Sequence, residues 1–317
     1  MSDIIHVAVA VIVNDNAEVC ISLRHEDTHQ GGLWEFPGGK IEQHETVEQA
    51  LMREIKEELN LDIKDSQPLI TIAHDYQDKK VCLHVNKVLS FQGQSSGMEG
   101  QKVAWVPVDQ LSSYKFPAAN VPIIQAVQLP DRYLITGKII DEDDFLTKLK
   151  NALDEGIKLV QLRIKDDGLN IDSVRSLIQQ ASTLCIQAEA KLLLNISEDY
   201  LKIIDLSNIR FDGFHADSRT LKRLSKRPGG KLFSASCHNV EELQKAKKLN
   251  ADFAVLSPVQ KTASHPEMPA MGWLQFSKMS DICTMPVYAL GGVSEKDMEN
   301  AKRHGAQGIA AISAFWH

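Results

Sequence analysis

From Tyr133 to the end, the chain alternates short apolar runs with longer segments of helical periodicity, and this feature constrains the fold most. Strands of a parallel sheet that is covered on both faces are nearly continuous apolar runs, and a helix usually connects each strand to the next. The runs are YLIT (133–136), KLVQLRI (158–164), KLLLNI (191–196), RFDGFH (210–215), KLFSAS (231–236), DFAVLSP (252–258), PVYALGG (286–292) and QGIAAIS (307–313). Eight strands alternating with helical segments predict a (β/α)8 TIM barrel. About 185 residues are few for this fold, so we expect short helices.

The preceding part of the chain has a different pattern. Residues 4–127 contain several strand-like runs and one strong helical segment at 47–59. This combination is typical of an α+β fold with a mixed or antiparallel sheet. The segment LPD around Pro130 interrupts both patterns, and 317 residues exceed the usual size of a single core. The sequence therefore predicts two domains, residues 1–128 and 129–317.

Composition excludes several classes of function. The net charge is −7 and no block of Lys and Arg is present, which disfavours a nucleic-acid polymer as partner. The first apolar run, Val7 to Val13, is too short for a membrane span and follows an acidic residue, so we expect a strand and a cytoplasmic protein without a membrane partner. The five cysteines are scattered without a CxxC pair, which predicts reduced thiols and neither a disulfide framework nor a zinc site.

The segment 38–61, GGKIEQHETVEQALMREIKEELNL, contains the strong helix. Thr46 followed by Gln49 forms a capping box, so the helix should begin just after Glu45. Its core-facing stripe is predicted to be Met52, Ile55 and Leu59.

Three glutamates of this helix, Glu54, Glu57 and Glu58, fall within an arc of about 100° beside that stripe. They repel one another, and Arg53 and Lys56 compensate only part of their charge. A solvated acidic face is one interpretation. The other is a site for a hard divalent ion, Mg2+ or alternatively Mn2+, which prefers oxygen ligands.

The spacing of this segment resembles the Nudix box. Gly39 is followed after five residues by Glu45 and, after seven more, by REIKEELNL from position 53. The box has a glycine where this chain has Asn60, the residue that best tolerates the left-handed conformation after glycine. The resemblance implies Mg2+-dependent hydrolysis of a nucleoside diphosphate linked to another group. It also implies that Glu54, Glu57 and Glu58 bind the metal together with the backbone of Gly38, and that Arg53 orients the glutamates.

Residues 4–127 further resemble the 8-oxo-dGTP diphosphatases of the MutT type, through LWEFPGGKIE, GMEGQ and FPAANVPII in this order. By that resemblance Asn120 would hydrogen-bond the purine, Glu99 would be an additional metal or water ligand, and Arg24 would meet phosphate. Phe36 would border the base pocket or belong to the core. Asn120 has an alternative role as a helix-start residue before Pro122.

The second domain resembles the thiamin phosphate synthase and TenI family, through VQLRIK, LLLNIS, DGFHAD, SASCH, LSPVQKTASHP and LGGVS. The resemblance implies that Arg163 and Lys165 bind an anionic substrate and that His238 is an acid or base. Gly291, Gly292 and Ser313 follow the last two strands, where barrel enzymes cradle phosphate.

Several family positions have changed. Where the synthases have Asn-Asp-Arg, this chain has Asn195-Ile196-Ser197. Thr220 stands at the position of their second acidic metal ligand. His265 stands at the position of their lysine in the loop after strand six. Loss of both carboxylates argues against diphosphate-dependent coupling.

Three functions follow from these features. The first is an 8-oxo-dGTP diphosphatase that cleans the nucleotide pool and serves DNA repair, with an appended barrel. The second is a Nudix hydrolase of a thiamin-pathway diphosphate joined to a thiazole tautomerase. In the third, the barrel is a module that binds a phosphorylated, thiazole-type metabolite.

Overall fold

A computed structural model describes residues 4–76, 78–165, 168–262 and 269–317. The chain forms two compact units, with the main division between Leu129 and Pro130. All five cysteines are free thiols, which confirms the expected absence of disulfides. No helix in the described ranges has the length and apolar character needed to cross a membrane.

The first domain contains two sheets and two α-helices within its described residues. One sheet has the order β4-β1-β6-β5 and the other β3-β2-β7. The strands are β1 (Ile4–Ile12), β2 (Glu18–Leu23), β3 (Trp34–Glu35), β4 (Gly38–Lys40), β5 (Asp62–Asp75), β6 (Lys80–Gln92) and β7 (Val103–Pro107). The helices are α1 (Val47–Leu59) and α2 (Val121–Gln128). Parallel pairing of β1 with β6 beside antiparallel pairs confirms the predicted mixed sheet.

Strand β1 separates two hydrophobic clusters because its side chains alternate between the two faces of the sheet. Val9 and Val11 belong to the cluster that also contains residues of α2, whereas Ala8 and Ala10 belong to the cluster beneath α1. The small alanine side chains leave room for the helix to pack close to the sheet.

The stripe by which α1 packs differs from the prediction at one position. Leu51, Ile55 and Leu59 are fully buried, while Met52 is 43% exposed. These buried positions are four residues apart, so they follow the 3.6-residue turn along one side of the helix. The prediction was right for Ile55 and Leu59 and wrong for Met52.

The second domain is a closed barrel of eight parallel strands among its described residues, in the order β10-β11-β12-β13-β14-β15-β8-β9. The strands are β8 (Arg132–Ile135), β9 (Leu159–Ile164), β10 (Lys191–Ile196), β11 (Gly213–Ala216), β12 (Leu232–Cys237), β13 (Phe253–Leu256), β14 (Val287–Leu290) and β15 (Gly308–Ala311). The predicted barrel is confirmed. Strand β11 begins three residues later than predicted, and the Asp212 side chain just before it accepts the backbone N–H of Leu192 at 2.8 Å.

The helices of the barrel vary in length, and several are short, as expected. They are α3 (Glu142–Asp154), α4 (Ile171–Gln187), α5 (Glu198–Ile203), α6 (Ser218–Arg223), α7 (Val240–Lys248), α8 (Gly272–Ser280) and α9 (Met298–Arg303). Inside the barrel Tyr133, Phe253 and Tyr288 pack edge to face or tilted with ring centroids 5.4 to 5.5 Å apart.

Candidate active sites

Helix α1 is fixed at both ends. Thr46 Oγ1 accepts the backbone N–H of Gln49 at 3.2 Å, and Gln49 Oε1 accepts that of Thr46 at 2.9 Å. At the other end Asn60 adopts the left-handed conformation, with φ 55° and ψ 30°, and donates its N–H to the carbonyl of Lys56. The predicted capping box and asparagine cap are both confirmed, so the glutamates project from a helix whose ends are held.

Two glycines bring the backbone of β4 against this helix. Gly38 has φ 146°, and a Cβ there would lie 2.1 Å from the carbonyl oxygen of Ala8. A Cβ at Gly39 would lie 2.1 Å from the carboxylate carbon of Glu54. The Glu54 carboxylate therefore occupies the space that any larger residue at position 39 would need.

Arg53 holds the acidic face in place. Its guanidinium donates to both oxygens of Glu45, at 2.8 and 2.9 Å, and to the carbonyl of Lys40 at 3.1 Å. The same group donates to Glu54 at 2.8 Å and lies 3.3 Å from Glu57. The hydrogen bonds from Arg53 lower the pKa of the Glu45 carboxyl to about 2. This geometry agrees with the predicted orienting role of Arg53.

Glu58 lies deeper than its neighbours on the helix. Its Oε2 accepts the backbone N–H of Gly38 at 3.1 Å. Burial raises the pKa of Glu58 to about 8, against the lowering effect of that hydrogen bond, and the negative charges of Glu35, Glu54 and Glu99 raise it further. The carboxylates therefore lie close enough to repel one another.

Glu99 reaches this cluster through a loop anchored on the end of α1. The carbonyl of Glu58 accepts the N–H of Met98 and the side-chain amide of Gln101, both at 3.0 Å. Gln101 in turn accepts the N–H of Glu99 at 2.9 Å. The loop places an exposed carboxylate beside Glu58, although 41 residues separate the two in sequence.

The donors of this cluster suit a hard divalent cation. Glu54, Glu57, Glu58 and Glu99 offer only oxygen, and the pKa of Glu58 is raised by its burial and, to a smaller extent, by the charges of Glu35, Glu54 and Glu99. Mg2+ and Mn2+ prefer such carboxylate oxygens. A bound cation would favour the ionised form of Glu58, so the residues present fit the metal that the sequence predicted.

Asn120 lies close to Phe36, although 84 positions separate the two residues. It is the residue immediately before α2 but makes no side-chain capping bond there. Its Oδ1 instead accepts the backbone N–H of Phe36 at 3.4 Å, and the residue is 8% exposed. Phe36 itself is buried in the core and stacks on Phe116 with centroids 5.6 Å apart. Asn120 thus stands at the start of α2, as one interpretation of the sequence had it, while its side chain bonds to Phe36 and not to the helix.

The sequence did not single out Glu35, the residue before Phe36, which pairs with Arg24. Arg24 donates to Glu35 and to the carbonyl of His29, so in this structure the predicted phosphate ligand has protein partners. Burial raises the pKa of Glu35 although Arg24 lowers it. The only signal in the sequence was its position next to Phe36 in the WEFPGG segment.

In the barrel, a chain of buried hydrogen bonds links several strands. Asn195 donates to Gln161 at 2.8 Å, and Gln161 donates to the Tyr133 hydroxyl at 3.1 Å. That hydroxyl lies 3.3 Å from His215 Nδ1. The two imidazole nitrogens of His215 also contact Ser234 Oγ at 2.7 Å and Ser236 Oγ at 2.8 Å. Burial lowers the pKa of His215 to about 3, so the ring is neutral.

His238 follows β12 and is exposed at the carboxyl end of the barrel. Its Nδ1 lies 2.9 Å from the carbonyl of Ser257, an acceptor that requires the proton on Nδ1. Its backbone N–H donates to Glu242 at 2.8 Å. The ring is thus oriented by Ser257 with Nε2 as the unprotonated nitrogen, as an exposed acid or base requires.

Gly291 and Gly292 follow β14 with φ of 96° and 70°. A Cβ at Gly291 would lie 2.8 Å from Cα of Pro258, and one at Gly292 would lie 2.4 Å from the carbonyl oxygen of Lys261. The two glycines therefore allow the loops after β13 and β14 to pack closely. Ser313 is exposed two residues after β15.

The remaining barrel residues lie as follows. Arg163 is the second-last residue of β9, with its N–H bonded to Thr136 Oγ1 at 2.9 Å, and Lys165 is exposed just beyond the strand. Asn195 is part of the buried hydrogen-bond chain, and Thr220 lies within α6. Ile196 and Thr220, the two positions where the resemblance places metal carboxylates, carry none. His265 lies outside the described residues.

Comparison with known proteins matches the two halves to different families. The NUDIX domain model matches residues 8–126, and the model described as thiamine monophosphate synthase, TMP-TENI, matches residues 132–315.

Individual relatives match one half each. The chain is 32% identical over 189 residues to "Putative thiamine-phosphate synthase 2" of Aquifex aeolicus, covering 60% of this chain and 99% of the relative. It is 36% identical over 120 residues to the 8-oxo-dGTP diphosphatase of Escherichia coli, covering 38% of this chain and 93% of the relative. It is also 30% identical over 118 residues to the CTP pyrophosphohydrolase of Escherichia coli, covering 37% and 87%.

Proposed function

We propose that this chain, which belongs to the Nudix family through residues 8–126 and to the TMP-TENI family through residues 132–315, is a metal-dependent 8-oxo-dGTP diphosphatase. The reaction is 8-oxo-dGTP and water giving 8-oxo-dGMP and diphosphate. The observation that carries the proposal is the cluster of Glu35, Glu54, Glu58 and Glu99, in which burial and, after it, the negative charges of the other three glutamates raise the pKa of Glu58.

Glu54, Glu57, Glu58 and Glu99 would hold the ion, which we propose to be Mg2+. When bound, Mg2+ neutralises diphosphate oxygens and lowers the pKa of a coordinated water. Arg53 fixes Glu54 through the 2.8 Å hydrogen bond and keeps the carboxylate in one orientation. Glu58 gives up its proton when the site is loaded, and the N–H of Gly38 then stabilises its negative charge.

Base recognition is assigned to Asn120. A carboxamide both donates and accepts hydrogen bonds, so it can pair with the edge of an oxidised purine. In this structure Oδ1 of Asn120 accepts the backbone N–H of Phe36 at 3.4 Å, and this bond would orient the carboxamide. Similarity to both an 8-oxo-dGTP diphosphatase and a CTP pyrophosphohydrolase makes the base the property to test.

The test measures kcat/KM of the full chain with Mg2+ on 8-oxo-dGTP, dGTP, CTP and the diphosphates of thiamin precursors. We expect about a tenfold preference or more for 8-oxo-dGTP over dGTP, because leaving a buried polar group unpaired costs about 1 to 3 kcal/mol and a tenfold change corresponds to about 1.4 kcal/mol. Asn120→Ala should remove most of that preference. Equal rates on 8-oxo-dGTP and dGTP contradict the substrate, and a strong preference for a thiamin-precursor diphosphate favours the second hypothesis.

A pair of glutamine variants tests the metal assignment separately. Glu57→Gln should lower diphosphate hydrolysis by about two orders of magnitude or more, because it removes a charged ligand. Glu48→Gln changes an exposed residue in the first turn of the same helix and should leave the rate unchanged. Wild-type activity in Glu57→Gln would overturn the assignment of the helix face.

For the barrel we propose a site for a phosphorylated thiazole-type compound, with His238 as acid or base. The support is the hydrogen bond from Nδ1 to Ser257, which leaves Nε2 available, and the lack of carboxylates at positions 196 and 220. Such chemistry is proton transfer at carbon and needs no metal. Arg163, Lys165, Gly291, Gly292 and Ser313 are proposed to bind the anionic groups.

Turnover of a thiazole phosphate tautomer by the full chain tests this assignment. We expect turnover in the wild type and its loss in His238→Ala, with ligand binding retained. Binding without turnover in the wild type would instead make the barrel a sensor of phosphorylated metabolites.

A further inference from the structure

His6, Cys82 and His84 form a cluster in the first domain that the diphosphatase proposal does not use. Parallel pairing of β1 and β6 places His6 opposite Cys82 and Ala8 opposite His84. Residues two apart in a strand share a face, so the three side chains project from one side of the sheet. His6 is exposed whereas Ala8 is fully buried, which puts the cluster just beyond the region of sheet that α1 covers.

The three side chains already lie close together. His6 Nδ1 and His84 Nε2 are 2.9 Å apart, and the two rings stack with centroids 5.2 Å apart and planes inclined by 20°. One ligand atom from each of His6, Cys82 and His84 lies within 4.8 Å of the other two. Among the described residues this is the one group of three or more such side chains that meets this distance.

The donor atoms differ in kind from those of the glutamate site. Two imidazoles and a thiolate are ligands for Zn2+ and for related borderline ions, whereas Mg2+ selects oxygen. In a tetrahedral zinc site with Zn–N near 2.0 Å and Zn–S near 2.3 Å, ligand atoms lie about 3.3 to 3.6 Å apart. On binding, His6 Nδ1 and His84 Nε2, now 2.9 Å apart, would move apart by about 0.4 Å. Each of these nitrogens would approach the Cys82 sulfur by at most about 1.2 Å. Side-chain rotation supplies movements of this size.

We propose that His6, Cys82 and His84 bind one Zn2+ ion, with a water molecule or another external ligand as the fourth donor. On binding, the Cys82 thiol releases its proton to solvent. If the nitrogen that binds the metal carries a proton, the imidazole changes to its other tautomer, with the proton on the other ring nitrogen. The two imidazoles therefore release no proton. The ion would join β1 directly to β6, the parallel pair that lies between β4 and β5 in the sheet.

Cobalt is the probe, because a thiolate bound to Co2+ produces near-ultraviolet charge-transfer absorption that carboxylate ligands do not. Full-length protein in excess Mg2+, which fills the glutamate site, is titrated with Co2+ and then with Zn2+. We expect one equivalent of Co2+ to develop the band and one equivalent of Zn2+ to abolish it. Because no substrate is involved, the result is independent of the diphosphatase proposal.

Three variants complete the experiment. Cys82→Ser should abolish the charge-transfer band, and His84→Gln should weaken Co2+ binding at least tenfold. His74→Gln is the matched control, since His74 on β5 pairs with Val81 on β6, the neighbour of Cys82, and so projects from the opposite face of the same sheet. Thermal unfolding in EDTA verifies that each variant folds. In a separate scan without EDTA, Zn2+ should raise the unfolding midpoint of the wild type and of His74→Gln but not that of the other two variants. Absence of the band in the wild type, or its persistence in Cys82→Ser, would overturn the proposal.

Discussion

Replacing Glu58 by glutamine should stabilise the metal-free protein while it abolishes the reaction. The pKa of Glu58 is raised from 4.5 to about 8 in the folded chain. One pKa unit corresponds to 1.36 kcal/mol, so at pH 7.5 the shift disfavours folding by ~4 kcal/mol at most. Relaxation and entry of water should leave about half of this cost, on the order of 2 kcal/mol. Glutamine keeps an oxygen that accepts the N–H of Gly38 and removes the charge.

The pH dependence has a defined sign. Above about pH 4.5 the unfolded chain has lost this proton, while the folded chain keeps it up to about pH 8. Unfolding therefore releases a proton in this window, and stability falls as pH rises. Glu35, whose pKa is also raised, contributes a smaller slope of the same sign.

The assay is thermal unfolding in EDTA between pH 5 and 8.5. We expect the wild-type midpoint of the first domain to fall with pH, and Glu58→Gln to reduce that slope and to raise the midpoint at pH 8 by on the order of 5 °C. Mg2+ should raise the midpoint of the wild type more than that of the variant. Glu57→Gln is the control, because its side chain is 58% exposed, and its slope should match the wild type. Parallel profiles for wild type and Glu58→Gln would refute the reasoning.

Five further substitutions test the packing of α1, its C-terminal end and its contact with Gly39. Leu51→Ala should lower the free energy of unfolding by about 2 to 5 kcal/mol, whereas Met52→Ala should change it by less than about 0.5 kcal/mol, as measured by urea denaturation; equal effects would contradict the corrected stripe. Asn60→Gly should be neutral or slightly stabilising and Asn60→Ala should cost about 1 kcal/mol in the same assay, because the position is left-handed. Gly39→Ala should displace the Glu54 carboxylate and lower hydrolysis at least tenfold with little loss of circular dichroism signal; a wild-type rate would show that the carboxylate tolerates the methyl group.

Local patterns predicted α1 and its ends well, because capping depends on neighbouring residues. The capping box of Thr46 and the left-handed Asn60 need only the residues around them. Met52 was assigned to the core because i, i+3 spacing fits a helix as well as i, i+4 does. The angle at which α1 meets the sheet decides between Leu51 and Met52, and that angle is a tertiary property.

The barrel was predicted from repetition, since each buried parallel strand has the same apolar signature. Side chains that meet through strand pairing had no such signal. His6 and Cys82 are 76 positions apart and are brought together only by the register of β1 and β6. For this reason the scattered cysteines predicted no zinc site. Glu35 escaped notice because its burial beside Arg24 depends on how β2 and β3 pair.

The hydrogen bonds inside the barrel also couple one imidazole ring to side chains of several strands. His215 Nδ1 lies 2.7 Å from Ser234 Oγ and 3.3 Å from the Tyr133 hydroxyl, and Nε2 lies 2.8 Å from Ser236 Oγ. A neutral imidazole has one donor nitrogen and one acceptor nitrogen, so a hydroxyl must donate to the one and accept from the other. The proton positions of Tyr133, Ser234 and Ser236 are therefore linked through this ring. Removing the amide of Gln161, which donates to Tyr133, would change that linkage without changing the shape of the barrel.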